Sequence, residues 1–158
     1  MPTFCMLIGV PGAGKSFWIE QQPIDWNKTV LISTDAIIDQ RAAAQSKTYD
    51  QVFALEIKSA TAETKVRLAR AIANNLDIII DQTNVSVNSR KAKLSKIPAV
   101  YDKIAVFFAT PQAEEHQRRL QGRVGKTIPD HVIQGMMDQL TMPTKGEGFD
   151  RIIHVDAT

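Results

Sequence analysis

The residues best suited to chemistry begin where an apolar run gives way to glycines. Gly9-Val10-Pro11-Gly12-Ala13-Gly14-Lys15-Ser16 fits the pattern G-x-x-x-x-G-K-[ST]. Glycines let the backbone approach a phosphate closely. Successive N–H groups ahead of a helix form an anion-binding concavity. Gly12, Ala13, Gly14, Lys15, Ser16 and Phe17 are therefore expected to hold the tail of ATP. Lys15 would supply a compact cation for the β- and γ-phosphates, and the Ser16 hydroxyl would be a Mg²⁺ ligand.

Two acids follow other apolar runs. Val30-Leu31-Ile32-Ser33-Thr34 leads to Asp35, and Ile78-Ile79-Ile80 leads to Asp81. In a parallel sheet such acids share one edge with the phosphate loop. Asp35 there could take the proton of a hydroxyl aimed at the γ-phosphorus, because in-line transfer rests on positioning and charge stabilisation. It could equally cap the helix that starts at Ala36. Asp39, one turn on, reads as solvated. Asp81 has the pattern of a carboxylate on the Mg²⁺ side. Gln82-Thr83-Asn84 is either a polar lining of the site or ordinary turn chemistry.

Basic residues fall in two groups. Arg90, Lys91, Lys93 and Lys96 could track a phosphate backbone, although a solvated helix face is the more ordinary explanation. Arg118, Arg119, Arg123 and Lys126 form the second group. Arg119 and Arg123 are four apart and share a helix face, and Gly122 and Gly125 suit a mobile lid over about 115–130. A lid arginine can neutralise charge on a transferring phosphoryl group and exclude water. His116, His131 and His154 follow no metal-ligand spacing and read as surface or structural.

These side chains need a scaffold, and the alternation of short apolar runs with helical patterns supplies one. Strands are expected at 4–8, 29–33, 77–80, 103–108 and 151–155. Their continuous apolarity suits burial on both faces, as in a parallel sheet covered by helices. Val66, Ala69, Ile72, Ala73 and Leu76 predict a helix packing that face on the sheet. Val132, Ile133, Met136, Met137 and Leu140 predict another, with Pro129 in its first turn. The expected fold is a three-layer α/β/α sandwich with a mostly parallel central sheet and a helical lid. It would be one domain spanning 1–158. Ligands in such sheets bind at the carboxyl ends of the strands.

Composition agrees with this class. The 158 residues are 44% hydrophobic and 23% charged, which excludes a disordered, collagen-like or coiled-coil chain. A net charge of +2 neither demands nor excludes a nucleic-acid partner. The single cysteine, Cys5, sits in an apolar run and cannot form an internal disulfide, which suits a reducing, cytoplasmic setting. Met1-Pro2-Thr3 carries no basic side chain and makes a poor signal-peptide start. All apolar runs are short of the about 20 residues a membrane helix needs, so a soluble chain is expected.

The phosphate loop, Asp35, the Asp81–Asn84 segment and the stretch from Arg119 to Pro129 together resemble the P-loop polynucleotide kinases, especially the 5′-kinase domain of the phage-type enzyme. Gly125-Lys126-Thr127-Ile128-Pro129 and Glu147-Gly148-Phe149-Asp150 are also similar to single-domain relatives. The resemblance spans nearly the whole chain. It implies Mg²⁺-dependent transfer from ATP to a hydroxyl of a nucleic acid, DNA ahead of RNA. It implies Asp35 as general base, with Lys15 and Arg123 as the catalytic cations. Arg119 and Arg123 would hold ATP phosphates, and Ser16 and Asp81 would face the metal. Thr34, Asp35, Gln82, Thr83, Asn84 and Arg90 would line the acceptor side. Ala36 and Ile38 stand where the phage-type enzyme carries a second acid and a phosphate-reading arginine. The acceptor could be a 5′-hydroxyl or a 5-hydroxymethyl group on a pyrimidine within phage DNA. A small-metabolite kinase of the shikimate or gluconate type is a second class. A non-enzymatic nucleotide-dependent module is a third, and Asp35, Lys15 and Arg123 together argue against it.

Overall fold

The structure is a computed structural model, and it describes residues 1–157. The apolar runs become five strands: β1 (Thr3–Ile8), β2 (Thr29–Ile32), β3 (Asp77–Asp81), β4 (Asp102–Phe108) and β5 (Arg151–Val155). All pair in parallel, in the order β2-β3-β1-β4-β5. Parallel pairing explains the unbroken apolarity, because side chains alternate between two covered faces. Phe4, Met6, Ile8, Ile78 and Ile80 pack on one side with Leu68, Ala71, Leu94 and Tyr101. Cys5, Leu7, Ile79 and Val106 pack on the other with Val10, Trp18, Ile19 and Met136. Each large apolar side chain fully buried this way stabilises the fold by roughly 1.5–3 kcal/mol.

Among the described residues, six α-helices connect and cover the strands: α1 (Lys15–Glu20), α2 (Thr34–Ala44), α3 (Tyr49–Ala73), α4 (Val87–Leu94), α5 (Ala113–Gln121) and α6 (Asp130–Gln139). A short 3₁₀ turn, Lys145–Glu147, precedes β5. The expected three-layer α/β architecture is present. Helices α2 and α3 also pack on each other around a small core of their own, Ile37, Ile38, Ala42, Val52 and Ala60. Among the described residues, no helix is long and apolar enough to cross a membrane.

Two helical expectations are corrected. The helix ending before β3 begins as early as Tyr49, where Thr48 and Gln51 form a reciprocal capping box. Its buried stripe runs through Ala60, Thr64, Leu68 and Ala71, while Val66, at 55% exposure, Ala69 and Ala73 face solvent. Thr64 joins the buried stripe because its hydroxyl donates to the Thr61 carbonyl at 2.6 Å, so no polar group is left unmet. Pro129 is the N-cap of α6, one residue ahead of its first turn. Of the expected apolar face of α6, Ile133 is buried and Met136 packs on the sheet, but Val132 and Met137 are exposed.

Candidate active site

The carboxyl ends of β1, β2 and β3 meet at one edge of the sheet. Register places Leu7 opposite Asp81 and Ile32 opposite Ile80, so the phosphate loop, Asp35 and Asp81 emerge side by side. They line one large cleft of about 1520 Å³. Its walls include the loop from Pro11 to Phe17, Thr34, Asp81, Gln82, Thr83, Arg119, Arg123 and Lys126.

The loop takes its shape from glycine. Gly12 (φ 81°) and Gly14 (φ 100°) occupy the left-handed region, which a side chain would strain. A Cβ on Gly12 would also meet His116 Cδ2 at 3.1 Å. Helix α1 starts at Lys15 behind Gly14, and no side chain caps it. Its first N–H groups are thus available to an anion. From below, His116 Nε2 donates to the Pro11 carbonyl at 2.7 Å, and Arg119 Nη1 donates to the Gly12 carbonyl at 3.2 Å. His116 is therefore structural, a buried prop for the loop. Phe17, 68% exposed, lines the cleft beside the loop.

Lys15 folds back along the loop and donates to the Gly9 carbonyl at 2.5 Å. Burial pulls its ammonium down to about 8, against the opposing pull of the Asp81 and Asp35 carboxylates. Asp81 shifts the other way: burial raises it, and Lys15 partly offsets this. Among the described residues, neither group forms a salt bridge. A triphosphate would restore charge beside Lys15, and a cation would do so beside Asp81.

Asp35 lies in the first turn of α2 but does not cap it. That duty falls to Ser33, whose hydroxyl accepts from Ala36 N at 3.1 Å. The alternative reading of Asp35 as an N-cap is thereby corrected. Its carboxylate is exposed in the cleft, and Oδ1 accepts the Tyr49 hydroxyl at 2.7 Å. Thr34 and Gln82 are joined, with Gln82 Nε2 donating to Thr34 Oγ1 at 3.0 Å. This bond ties the ends of β2 and β3 together. Thr83 lines the cleft, and its carbonyl accepts from Gly9 N at 3.0 Å.

Asn84 and Arg90, expected on the acceptor side, lie elsewhere. Asn84 is buried with φ 49°, and its Nδ2 donates to the Leu7 carbonyl at 2.7 Å while Lys93 Nζ donates to its Oδ1. Arg90 is 0% exposed. It pairs with Glu147 at 2.8 Å and donates through Nη1 to the Asn84 and Val85 carbonyls at 3.0 and 3.1 Å. Asn84 ties the turn after β3 to β1, and Arg90 braces that turn against the segment before β5, so neither is available to read a substrate. The solvated-face reading fails for Arg90 as well. Asp39 is exposed, as expected, and also pairs with Lys126 at 3.0 Å.

The loop 122–129 between α5 and α6 closes the cleft from the side of α2 and α3. Asp50 N donates to the Gly125 carbonyl, and Thr127 N donates to the Asp50 carboxylate, each at 2.9 Å. Lys126 Nζ stands 4.4 Å over the Tyr49 ring. Arg123 lies on this loop beyond the end of α5, so it does not share a helix face with Arg119 as its spacing suggested, and it lines the cleft. Its Nη1 is buried and has no hydrogen-bond partner among the described residues, a costly state for a charged donor unless a ligand completes it.

The donor chemistry on the loop side suits magnesium. Ser16 and Asp81 offer hard oxygens, and Mg²⁺ takes few protein ligands, leaving the rest to phosphates and water. Among the described residues no cluster of three or more His, Cys, Asp or Glu could hold a metal alone. Tyr49 and Asp50 escaped the sequence reading, which named His116 only as surface or structural. Tyr49 lies fourteen residues from Asp35 and meets it only through the turn between α2 and α3.

A family model described as AAA domain matches residues 4–143. The fold is also that of several solved kinases and related proteins. One is a chain of the Pnkp1/Rnl/Hen1 RNA repair complex, 23% identical, with TM-score 0.65, covering 88% of this chain and 44% of that one. A fungal RNA kinase is 13% identical with TM-score 0.55, covering 100% of this chain and 76% of that one. A gluconokinase from Sinorhizobium meliloti is 16% identical with TM-score 0.52, covering 99% and 83%. The chain thus spans less than half the length of the RNA repair protein it matches.

Proposed function

The chain belongs to the AAA domain family and carries a P-loop kinase-like domain, and we propose that it transfers the γ-phosphate of ATP to a hydroxyl of a nucleic acid. One observation carries the reading. The partnerless, buried Nη1 of Arg123 shares a cleft with Lys15 and Asp35, so cations and a free carboxylate oxygen flank the place where a phosphoryl group would pass.

The transfer is in-line. The acceptor oxygen forms a bond to the γ-phosphorus as its proton goes to Asp35 Oδ2. The bond from the γ-phosphorus to the β–γ bridging oxygen breaks, and ADP leaves with that electron pair. The amides of Gly12, Ala13, Gly14, Lys15, Ser16 and Phe17 cradle the phosphates. Lys15 and Arg123 neutralise charge on the transferring group, and Arg119 orders the loop beside it. Ser16 and Asp81 would hold Mg²⁺, which when bound supplies charge neutralisation between the β- and γ-phosphates. The loop 122–129 acts as the lid, excluding water and bringing Arg123.

The nucleic-acid acceptor is supported by the motif resemblance, by the size of the cleft and by structural neighbours whose names include RNA repair and RNA kinase. A small polyol is the second reading, favoured by Ile38. That position is fully buried, so no side chain there can hold a phosphate beside the acceptor hydroxyl. The deciding experiment is an acceptor screen with ATP and Mg²⁺, read by mass shift. It would use a 5′-hydroxyl oligonucleotide, a 5′-blocked duplex bearing 5-hydroxymethyluracil, and gluconate. Phosphorylation of either nucleic acid, lost in Asp35→Asn while ATP binding persists, is the expected result. Phosphorylation of gluconate alone would overturn the nucleic-acid assignment.

A further inference from the structure

Asp35 is held by one contact. Among the described residues, the Tyr49 hydroxyl is the sole hydrogen-bond donor to its carboxylate, reaching Oδ1 at 2.7 Å. The χ2 torsion of an aspartate is broad and roughly two-fold, so an unpinned carboxylate samples many orientations. Tyr49 is itself well fixed. It opens α3 directly behind the capping box, its ring packs on Phe53 with centroids 5.5 Å apart, and Lys126 covers its face. Burial first, and the bond to Asp35 next, push the phenol well above its ordinary value, so it remains a protonated donor.

We propose that Tyr49 is a positioning residue for phosphoryl transfer, pinning Asp35 Oδ1 so that Oδ2 is presented to the acceptor hydroxyl. This inference rests on the reading of Asp35 as the base. The reacting atoms need near-attack geometry, and small misplacements cost rate steeply. The tyrosine itself gains and loses no proton in the step. Its effect should fall on turnover and leave ATP affinity alone, because the phosphate cradle touches neither its ring nor its hydroxyl.

The test is a cycle of Tyr49→Phe, Asp35→Asn and the double variant. Steady-state transfer from ATP with Mg²⁺ is measured to a 5′-hydroxyl oligonucleotide, and also with water as the sole acceptor. Tyr49→Phe keeps the ring, its packing on Phe53 and the lysine above it. It should keep the melting temperature and the KM for ATP, and lower kcat about tenfold. Added to Asp35→Asn it should cost nothing more, since a positioning residue has nothing left to position. Unchanged kcat in Tyr49→Phe, with Asp35→Asn inactive, overturns this inference and leaves the base in place. Multiplied losses in the double variant also overturn it, because Tyr49 would then act independently of Asp35. Full turnover in Asp35→Asn overturns the base and this inference together.

Discussion

Replacing Arg90 with methionine separates a structural arginine from a substrate-reading one. The guanidinium is fully buried, bonded to Glu147 at 2.8 Å and to two backbone carbonyls, and Glu147 is itself only 8% exposed at its side chain. Arg90→Met keeps much of the aliphatic stem but strands a buried carboxylate and removes the donor to both carbonyls. Removing one member of a buried ion pair typically costs about 3–5 kcal/mol. That is a large part of the about 5–15 kcal/mol that stabilises a domain. For a chain of this length each kcal/mol lowers Tm by about 2–4 °C, so a fall of roughly 6–20 °C is expected. The pH dependence has a definite sign. Although burial works against it, Arg90 and the Thr144 N–H hold Glu147 below the usual carboxylate range. A depressed carboxylate stabilises the fold above its unfolded pKa and loses that contribution as pH falls. The gap between wild type and Arg90→Met should therefore narrow from pH 7 towards pH 4. Urea titration at each pH measures it, and Arg90→Met/Glu147→Leu should recover part of the loss. Turnover at low temperature, where the variant stays folded, should keep its KM for acceptor. A variant of wild-type stability with a raised acceptor KM would refute the structural account.

Two further predictions concern the cleft. Lys15 titrates near 8 when free because of burial, and a bound triphosphate favours its charged form. Above about pH 8, ATP binding must therefore take up a proton, and affinity should fall by up to tenfold per pH unit. Calorimetry at pH 9 in buffers of different ionisation enthalpy should register that proton, and no uptake would contradict the burial argument. Gly125 sits at φ +69°, and a Cβ there would lie 2.7 Å from Thr48 Cβ. Gly125→Ala should lift the loop 122–129 from α3, seen as lost hydrogen-exchange protection at Thr127, whose N–H donates to Asp50. Unchanged protection would show that the seat has room.

The sheet was legible because burial on both faces leaves an unbroken apolar signature. Phe4-Cys5-Met6-Leu7-Ile8 fills both core clusters at once. The cleft was legible where one segment carries its own chemistry, as in the phosphate loop. Amphipathic periodicity misled in α3, where Val66 and Ala69 repeat attractively but the inward stripe contains a threonine satisfied by its own helix. Long-range partners left no local trace. Nothing near Arg90 announces Glu147, 57 residues on, and a basic run reads alike whether its arginine is solvated or entombed. His116 gave no signal either, because its partner is a backbone carbonyl 105 residues away.

The turn between α2 and α3 serves the helix, the loop and the cleft at once. Within four residues, Thr48 caps α3 and packs against Gly125, Tyr49 reaches Asp35, and Asp50 receives the Thr127 amide. Helix initiation, seating of the loop that carries Arg123, and orientation of Asp35 thus share one turn. A capping box worth about 1 kcal/mol or so to the helix therefore also sets the distance between the cation and the base across the cleft. The length of α3 follows from the same requirement. Its first turn must stand beside the loop 122–129, while Leu68 and Ala71, about five turns on, pack beneath β1 and β3. A shorter helix could satisfy the core or the cleft, but not both, and this ties the stability of the sheet to the geometry of transfer.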